Sequence, residues 1–194
     1  MLNERSLSTF KLKNELDDTI KGCVHGKRSD QEKLYRMFSS KMFGVCLRYC
    51  RNYDDAKDIL QDGFIKVFDK IEQFGQRGSF EGWIRRIMIN TALERYRKNS
   101  QTLTLEKLPE ISENEEYDET ECRFSMNELL EYVQKLPERY RMVFNLYVFE
   151  EMTHKEVAET MGITEGTSKS DLSRARTILQ NQINSRVKQV AKIG

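Results

Sequence analysis

Proline occurs at only two of the 194 positions, Pro109 and Pro137, so most of the chain lacks the residue that most strongly breaks a helix. Apolar residues recur at steps of three and four over long stretches, and no stretch of useful length alternates apolar with polar residues. This pattern predicts an all-α fold. With 38% hydrophobic and 32% charged residues, the chain has the composition of a globular protein.

Charge is distributed unevenly along the chain, although the net charge is only +1. Residues 27–98 contain 16 lysines and arginines against 10 aspartates and glutamates, whereas residues 99–125 contain two against eight. The second segment also contains Pro109 and can bury little apolar surface. We therefore predict two small helical domains, at 11–98 and 126–190, joined by a flexible acidic linker at 99–125.

Hydrophobic spacing predicts four helical segments in the first domain. They lie at about 11–24, from a capping box at Ser29–Glu32 to about 51, from the polar break at 52–54 to about 71, and at 80–98. The second segment is either one helix or a helix pair. In the third of these segments the apolar side chains form one stripe. The opposite face is polar and contains Asp58, Gln61 and Asp62.

The stretch from Thr153 to Leu179 has the pattern of two helices joined by a tight turn. Thr153–Glu156 is a capping box, Gly162 can adopt the left-handed conformation that ends a helix, and Thr164 can cap the next helix. These features predict a helix-turn-helix, a motif whose second helix lies in the major groove of DNA.

The second helix of this motif begins with small residues and continues with cations. Gly166–Ser168 would let the helix terminus approach DNA closely, while Lys169, Arg174 and Arg176 would neutralise backbone phosphates. The alternative interpretation is an ordinary helical hairpin with a solvated basic face.

The helix predicted at 80–98 interleaves cations with aromatic side chains. Its apolar residues can face the core while Arg86 and Asn90 stay exposed near Trp83. Because cations follow a phosphate chain and aromatic rings stack on unpaired bases, the pattern favours binding to single-stranded or melting DNA. A purely structural role in the core is the alternative for Trp83.

Cysteine and histidine usage favours neither a metal site nor an enzyme. The four cysteines, Cys23, Cys46, Cys50 and Cys122, show no C-x-x-C spacing, so we expect buried structural thiols rather than a metal site with His25. No nucleophile or phosphate loop accompanies His25 or His154, and we expect no enzymatic activity, cofactor, metal or small-molecule substrate. The lack of a signal-peptide core and of an apolar run of about 18 residues favours a cytoplasmic location.

Taken together, these stretches resemble the extracytoplasmic-function (ECF) sigma factors of bacterial RNA polymerase. The resemblance extends from about Asp17 to Leu179 and is carried by "DDAKDILQDGFIKVFDKIEQF", "SFEGWIRRIMINTALERYRK" and "LPERYRMVFNLYVFEEMTHKEVAETMGITEGTSKSDLSRAR". It implies two helical domains without a catalytic centre. It also implies three partners, which are core RNA polymerase (the β′ clamp helices and the β subunit), promoter DNA and an anti-sigma factor.

The resemblance further implies a role for each polar surface. Asp58, Gln61 and Asp62 match the face that docks on the β′ clamp helices, and the linker matches a segment that threads through the RNA-exit region. The loop at 74–80 with Trp83, Arg86 and Asn90 matches the part that opens and reads the minus-10 element. The helix that reads the minus-35 element is matched by Thr167, Ser168, Lys169, Arg174 and Arg176.

Two residues depart from the family pattern in this last helix. Ser168 occupies a position where valine is frequent, and Asp171 one where a basic residue is frequent. An acidic side chain repels phosphate but can accept a hydrogen bond from a cytosine amino group, so Asp171 is included among the predicted DNA contacts.

A stand-alone helix-turn-helix regulator, with a sensing or dimerising first domain, is the main alternative from another functional class. It leaves the Trp83 helix and the acidic face without a role.

Overall fold

The computed structural model describes residues 4–75, 78–102 and 124–191. Within these ranges the chain forms α-helices and one short 3₁₀ helix at Ile71–Gln73, and it forms no strand there, which confirms the predicted all-α fold. In chain order the α-helices are α1 (Glu4–Val24), α2 (Arg28–Tyr49), α3 (Tyr53–Lys70), α4 (Phe80–Thr102), α5 (Met126–Lys135), α6 (Glu138–Val148), α7 (His154–Met161) and α8 (Glu165–Ala191).

The helices group into two compact units. One consists of Met1–Cys46 with Asp54–Thr91, and the other consists of Leu47–Tyr53 with Ala92–Gly194. The domain boundaries drawn from the sequence stay predictions, because residues 103–123 of the predicted linker lie outside the described residues. Helix α4 does continue to Thr102, four residues into that predicted linker.

The core of the first unit is built from apolar stripes of α2, α3 and α4. Leu34, Val67 and Ile84, one from each helix, have no exposed surface. The rings of Phe38 and Phe80 meet edge to face at 5.7 Å between centroids, so α2 also contacts the start of α4.

Gly63 allows α3 and α4 to approach each other closely. A Cβ at this position would overlap the thioether of Met88, which is itself buried. Glycine is therefore required at position 63 by the lack of space for a side chain, and not by an unusual backbone conformation.

We expect Gly63→Ala to lower the free energy of unfolding by about 1–3 kcal/mol, because an added methyl group must displace packed core atoms. Gly44→Ala is the matched control. Gly44 is an exposed residue of α2, and its Cβ would meet nothing within 4 Å, so alanine should stabilise this helix by about 0.5–1 kcal/mol. Urea unfolding followed by circular dichroism measures both values. Equal stabilisation by the two substitutions would contradict close packing at Gly63.

Two predicted helix starts differ from the structure. Helix α2 begins at Arg28, and the Asp30 amide already donates to the carbonyl of Lys27 at 3.1 Å, so Ser29 lies inside the helix instead of capping it. Pro137 is predicted to be the first residue of α6, because proline favours that position, but it is the N-cap, with an extended ψ of 142°. The predicted start is displaced by two residues for α2 and by one for α6, within the usual uncertainty at helix ends.

The predicted burial of the cysteines is confirmed for Cys23, Cys46 and Cys50, while Cys122 lies outside the described residues. Burial, aided by the nearby Asp30 carboxylate, raises the pKa of the Cys23 thiol to about 11. Across residues 4–75, 78–102 and 124–191, no cluster of three or more His, Cys, Asp or Glu residues could bind a metal ion. No helix in these ranges is both long enough and apolar enough to span a membrane.

In the second unit α6 and α8 form the main packing pair. Leu136 and Tyr140 pack against Ala175 of α8, and all three are buried. Helix α7 packs against both α6 and α8, and α5 packs against α8. The Ser125 hydroxyl and the Glu128 carboxylate form a reciprocal capping box at the start of α5, and these contacts hold the pKa of Glu128 below its usual value.

Candidate functional site

One face of α3 is polar and exposed. Asp58, Gln61 and Asp62 are all exposed, while the buried face of the same helix includes Leu60 and Phe64. Their spacing of three and four residues places the three polar side chains on one side of the helix. Ile65, which is 59% exposed, continues this side. The face therefore offers acidic groups next to an apolar side chain, a combination suited to a basic, partly apolar partner surface.

A second exposed face lies on α4. Trp83, Arg86 and Asn90 follow each other at steps of three and four residues and so share one side of the helix. Arg86 and Asn90 are exposed, and Trp83 is half-buried. On the opposite side, Ile84 and Met88 face the core.

Other aromatic rings hold Trp83 in place. Its ring stacks on that of Phe80 with 5.5 Å between centroids and 25° between planes, and Phe74 lies 5.6 Å away. Phe80 is buried, so the stack connects Trp83 to the core of the first unit. The start of α4 is fixed by Ser79, whose hydroxyl accepts from the Gly82 amide at 3.0 Å. Both interpretations of Trp83 thus have support, because it packs in part and is exposed in part.

The helix-turn-helix geometry follows from three local features. The Thr153 amide and hydroxyl both donate to the Glu156 carboxylate at 2.8 Å, and these bonds hold the pKa of Glu156 below its usual value. Gly162 ends α7 with φ of 68°, the left-handed conformation that favours glycine. The Thr167 amide donates to the Thr164 hydroxyl at 3.0 Å and so caps the start of α8. All three predictions for this turn are confirmed.

The cations predicted for the second helix lie on its exposed side. Lys169, Arg174 and Arg176 are exposed, and Thr167 is half-buried. Each cation also has a contact within the unit. Lys169 lies 2.8 Å from the Glu165 carboxylate, and this pairing holds the pKa of Glu165 below its usual value. The Arg174 guanidinium donates to the Tyr140 hydroxyl at 3.4 Å, and that of Arg176 lies 5.8 Å from the Tyr147 ring.

Ser168 and Asp171 occupy the opposite side of α8 and correct the sequence-based set. Both are fully buried. The Ser168 hydroxyl is 3.0 Å from the His154 ring nitrogen, and the Asp171 carboxylate pairs with Arg139 of α6. A side chain that faces the interior of its own unit cannot reach a base edge, so neither residue belongs to the DNA-facing surface.

The contacts predicted from the sequence leave out two further exposed residues of α8. Ser170 and Ser173 are exposed and lie between the cations, so that Lys169, Ser170, Ser173 and Arg174 form one exposed stripe. Serine hydroxyls can bind phosphate or base edges. The helical period, counted outward from the buried Leu172 and Ala175, is the signal that would have found them.

Two family models match the chain, and together they cover more than half of it. The model described as Sigma-70 region 2 matches residues 34–102, which include the exposed faces of α3 and α4. The model described as Sigma-70, region 4 matches residues 126–179, which include the helix-turn-helix.

Proteins with similar sequences are named as ECF RNA polymerase sigma factors. The ECF RNA polymerase sigma factor SigW of Bacillus subtilis is 27% identical, with 81% of this chain and 92% of that protein covered. The ECF RNA polymerase sigma-E factor of Haemophilus influenzae is 28% identical, with 84% and 93% covered. The ECF RNA polymerase sigma factor SigE of Mycolicibacterium smegmatis is 28% identical over 78% of this chain, which spans 61% of that protein. The chain therefore belongs to the sigma-70 family as a sigma factor of the extracytoplasmic-function group, and it directs RNA polymerase in transcription initiation.

Proposed function

We propose that this sigma factor performs its work through three exposed faces, each with its own target. The observation that carries the proposal is the separation of polar from buried residues on α3, α4 and α8, within the two matched regions. In each of these helices one side is buried in the core, and the residues assigned to a partner lie on the opposite side.

The α3 face docks on core polymerase. Asp58 and Asp62 present two carboxylates and Gln61 an amide, and Ile65 adds an exposed apolar group. A binding patch of this kind combines charge complementarity, which steers association, with an apolar contact that excludes water. The resemblance assigns the partner as the clamp helices of the β′ subunit.

The α4 face opens and reads the minus-10 element. Trp83 supplies a ring for stacking on an unpaired base, and its neighbours Phe74 and Phe80 support it from behind. Arg86 supplies a cation for the strand, and Asn90 offers both a donor and an acceptor for a base edge.

The α8 face reads the minus-35 element. The first residues of a recognition helix contact base edges, and the structure exposes Lys169, Ser170, Ser173 and Arg174 on one side. Thr167 and Arg176 flank this stripe and are assigned to backbone phosphates. The buried Ser168 and Asp171 are left out of the contact set.

Membership of the ECF group suggests further features. We propose an anti-sigma factor as the regulatory partner, a contact with the β subunit of polymerase, and a cytoplasmic location, where transcription takes place. The sigma factor contributes binding and promoter opening, while the polymerase performs the chemistry.

Runoff transcription with core polymerase on genomic fragments tests the proposal. We expect defined transcripts only when this protein is added, and weak binding of promoter duplex by the protein alone. The contrary result is tight sequence-specific binding to duplex DNA without polymerase, together with no stimulation of transcription. It would favour a stand-alone regulator.

A further inference from the structure

A buried ion pair joins the recognition helix α8 to α6. Nη2 of Arg139 donates to Oδ1 of Asp171 at 2.9 Å, and Nε of Arg139 lies 2.8 Å from Oδ2. The Asp171 side chain has no exposed surface, and that of Arg139 is 30% exposed. The pair thus lies behind the helix, on the side away from the exposed stripe.

The geometry of this pair constrains α8 more than apolar packing does. Nη2 of Arg139 makes the one directional hydrogen bond of the pair, whereas Nε approaches the other carboxylate oxygen without hydrogen-bond geometry. A charge-assisted hydrogen bond from a planar guanidinium restricts the direction of approach as well as the distance. The neighbouring core contacts of Leu172 and Ala175 are non-directional and would tolerate small rotations of the helix.

Two other polar contacts restrict the same helix at neighbouring positions. Ser168 is 3.0 Å from Nδ1 of His154 at the start of α7, and Arg174 donates to the Tyr140 hydroxyl of α6 at 3.4 Å. Asp171 lies one turn from each of them along α8. Its contact is the shortest of the three and the one that joins two charged groups.

Rotation about the α8 axis would move the side chains that face outward. Because these side chains extend about 5–6 Å from the axis, a rotation of about 20–30° moves them by an ångström or more. The positions of Lys169, Ser170, Ser173 and Arg174 therefore depend on how α8 is held from behind.

We propose that the Arg139–Asp171 pair positions the recognition helix and thereby sets selectivity at the minus-35 element, without touching DNA. This inference rests on the proposed role of the α8 face. It assigns Arg139 and Asp171 as positioning residues, a role distinct from general stabilisation.

The alternative is that the pair only stabilises the fold. Buried ion pairs are weak evidence for that role, since replacing both partners by apolar residues is often neutral or stabilising, whereas removing one partner leaves the other without compensation. Replacement of both residues therefore separates the two roles.

The test uses the full-length protein with Arg139→Met and Asp171→Leu combined, and with Asp171→Asn alone. Lys135→Met with Glu131→Leu is the matched control, because it removes an exposed pair at 3.9 Å in α5 of the same unit. Holoenzymes are scored by transcription from a library of minus-35 variants with a fixed minus-10 element. Thermal unfolding is measured in parallel.

We expect the doubly apolar variant to keep its melting temperature while its discrimination between preferred and singly substituted minus-35 sequences falls about fivefold or more. Asp171→Asn should lose discrimination in the same direction, and the control should retain the wild-type profile. Residual dipolar couplings of the free proteins should show α8 reoriented relative to α6 in both variants of the pair and unchanged in the control.

An unchanged promoter profile and unchanged α8 orientation in a folded variant would overturn the inference, as would an equal loss on every promoter. If the wild-type protein itself fails to support transcription, the proposed function fails. In that case the dipolar couplings still decide whether the pair positions α8.

Discussion

Replacement of Asp58 and Asp62 by lysine is expected to abolish co-purification of this sigma factor with core RNA polymerase. Both carboxylates lie on the exposed face of α3, and reversing two charges at a complementary surface places like charges opposite each other, at a cost of several kcal/mol. Since each 1.4 kcal/mol corresponds to a tenfold change, the affinity should fall by about 100-fold or more. Equilibrium binding of a labelled variant to core polymerase measures the effect.

The fold should survive this substitution, because neither side chain contributes to the core. The unfolding transition should therefore stay within about 0.5 kcal/mol of wild type. Asp18→Lys with Glu32→Lys is the matched control, since it makes the same charge change at side chains of α1 and α2 that are 78% and 61% exposed. If this control weakens binding as much as the α3 variant, net charge determines the affinity and the α3 face is not the docking site.

Prediction from the sequence was most accurate at the turns and helix caps. Thr153, Gly162 and Thr164 were assigned their roles from residue type and spacing, and each role is present in the structure. Caps and glycine turns are local, so a few neighbouring residues determine them. The same locality explains why the start of α2 was displaced by only two residues.

The recognition helix shows where local interpretation was insufficient. Charge and family position assigned Ser168 and Asp171 to the DNA surface, but counting back from Leu172 and Ala175 by three or four residues places both on the buried side. The helical period was available in the sequence and outweighs residue type, because a rigid helix cannot turn one side chain outward independently.

The partner of Asp171 could not be found from local sequence. Arg139 lies 32 residues earlier in another helix, and only the packing of α6 against α8 brings the two together. The contact between Gly63 and Met88 is of the same kind, because a long-range approach of two helices creates it. Interactions of this type depend on tertiary packing, on which helical periodicity carries no information.

Substitution of Asn90 or of Trp83 should impair promoter opening. The two substitutions should differ in their effect on the stability of the fold. Asn90 is exposed, so Asn90→Ala should leave the free energy of unfolding within about 0.5 kcal/mol of wild type. Trp83 stacks on Phe80 and packs at a tilt against Phe74, so Trp83→Ala should cost about 1–2 kcal/mol through lost aromatic contacts. Both should reduce strand opening about tenfold, since a base contact of this kind contributes about 1–3 kcal/mol.

Permanganate footprinting of the minus-10 region measures opening, and binding of holoenzyme to duplex promoter measures the closed complex. Opening should fall more than closed-complex formation in both variants, because unpaired bases become available to α4 only after the strands separate. Asn14→Ala, which removes an exposed asparagine from α1, is the control for the loss of an amide. Suppose Trp83→Ala reduces both steps equally while Asn90→Ala changes neither. Trp83 would then act only through the Phe74–Phe80 packing, and the opening surface would have to lie elsewhere on the protein.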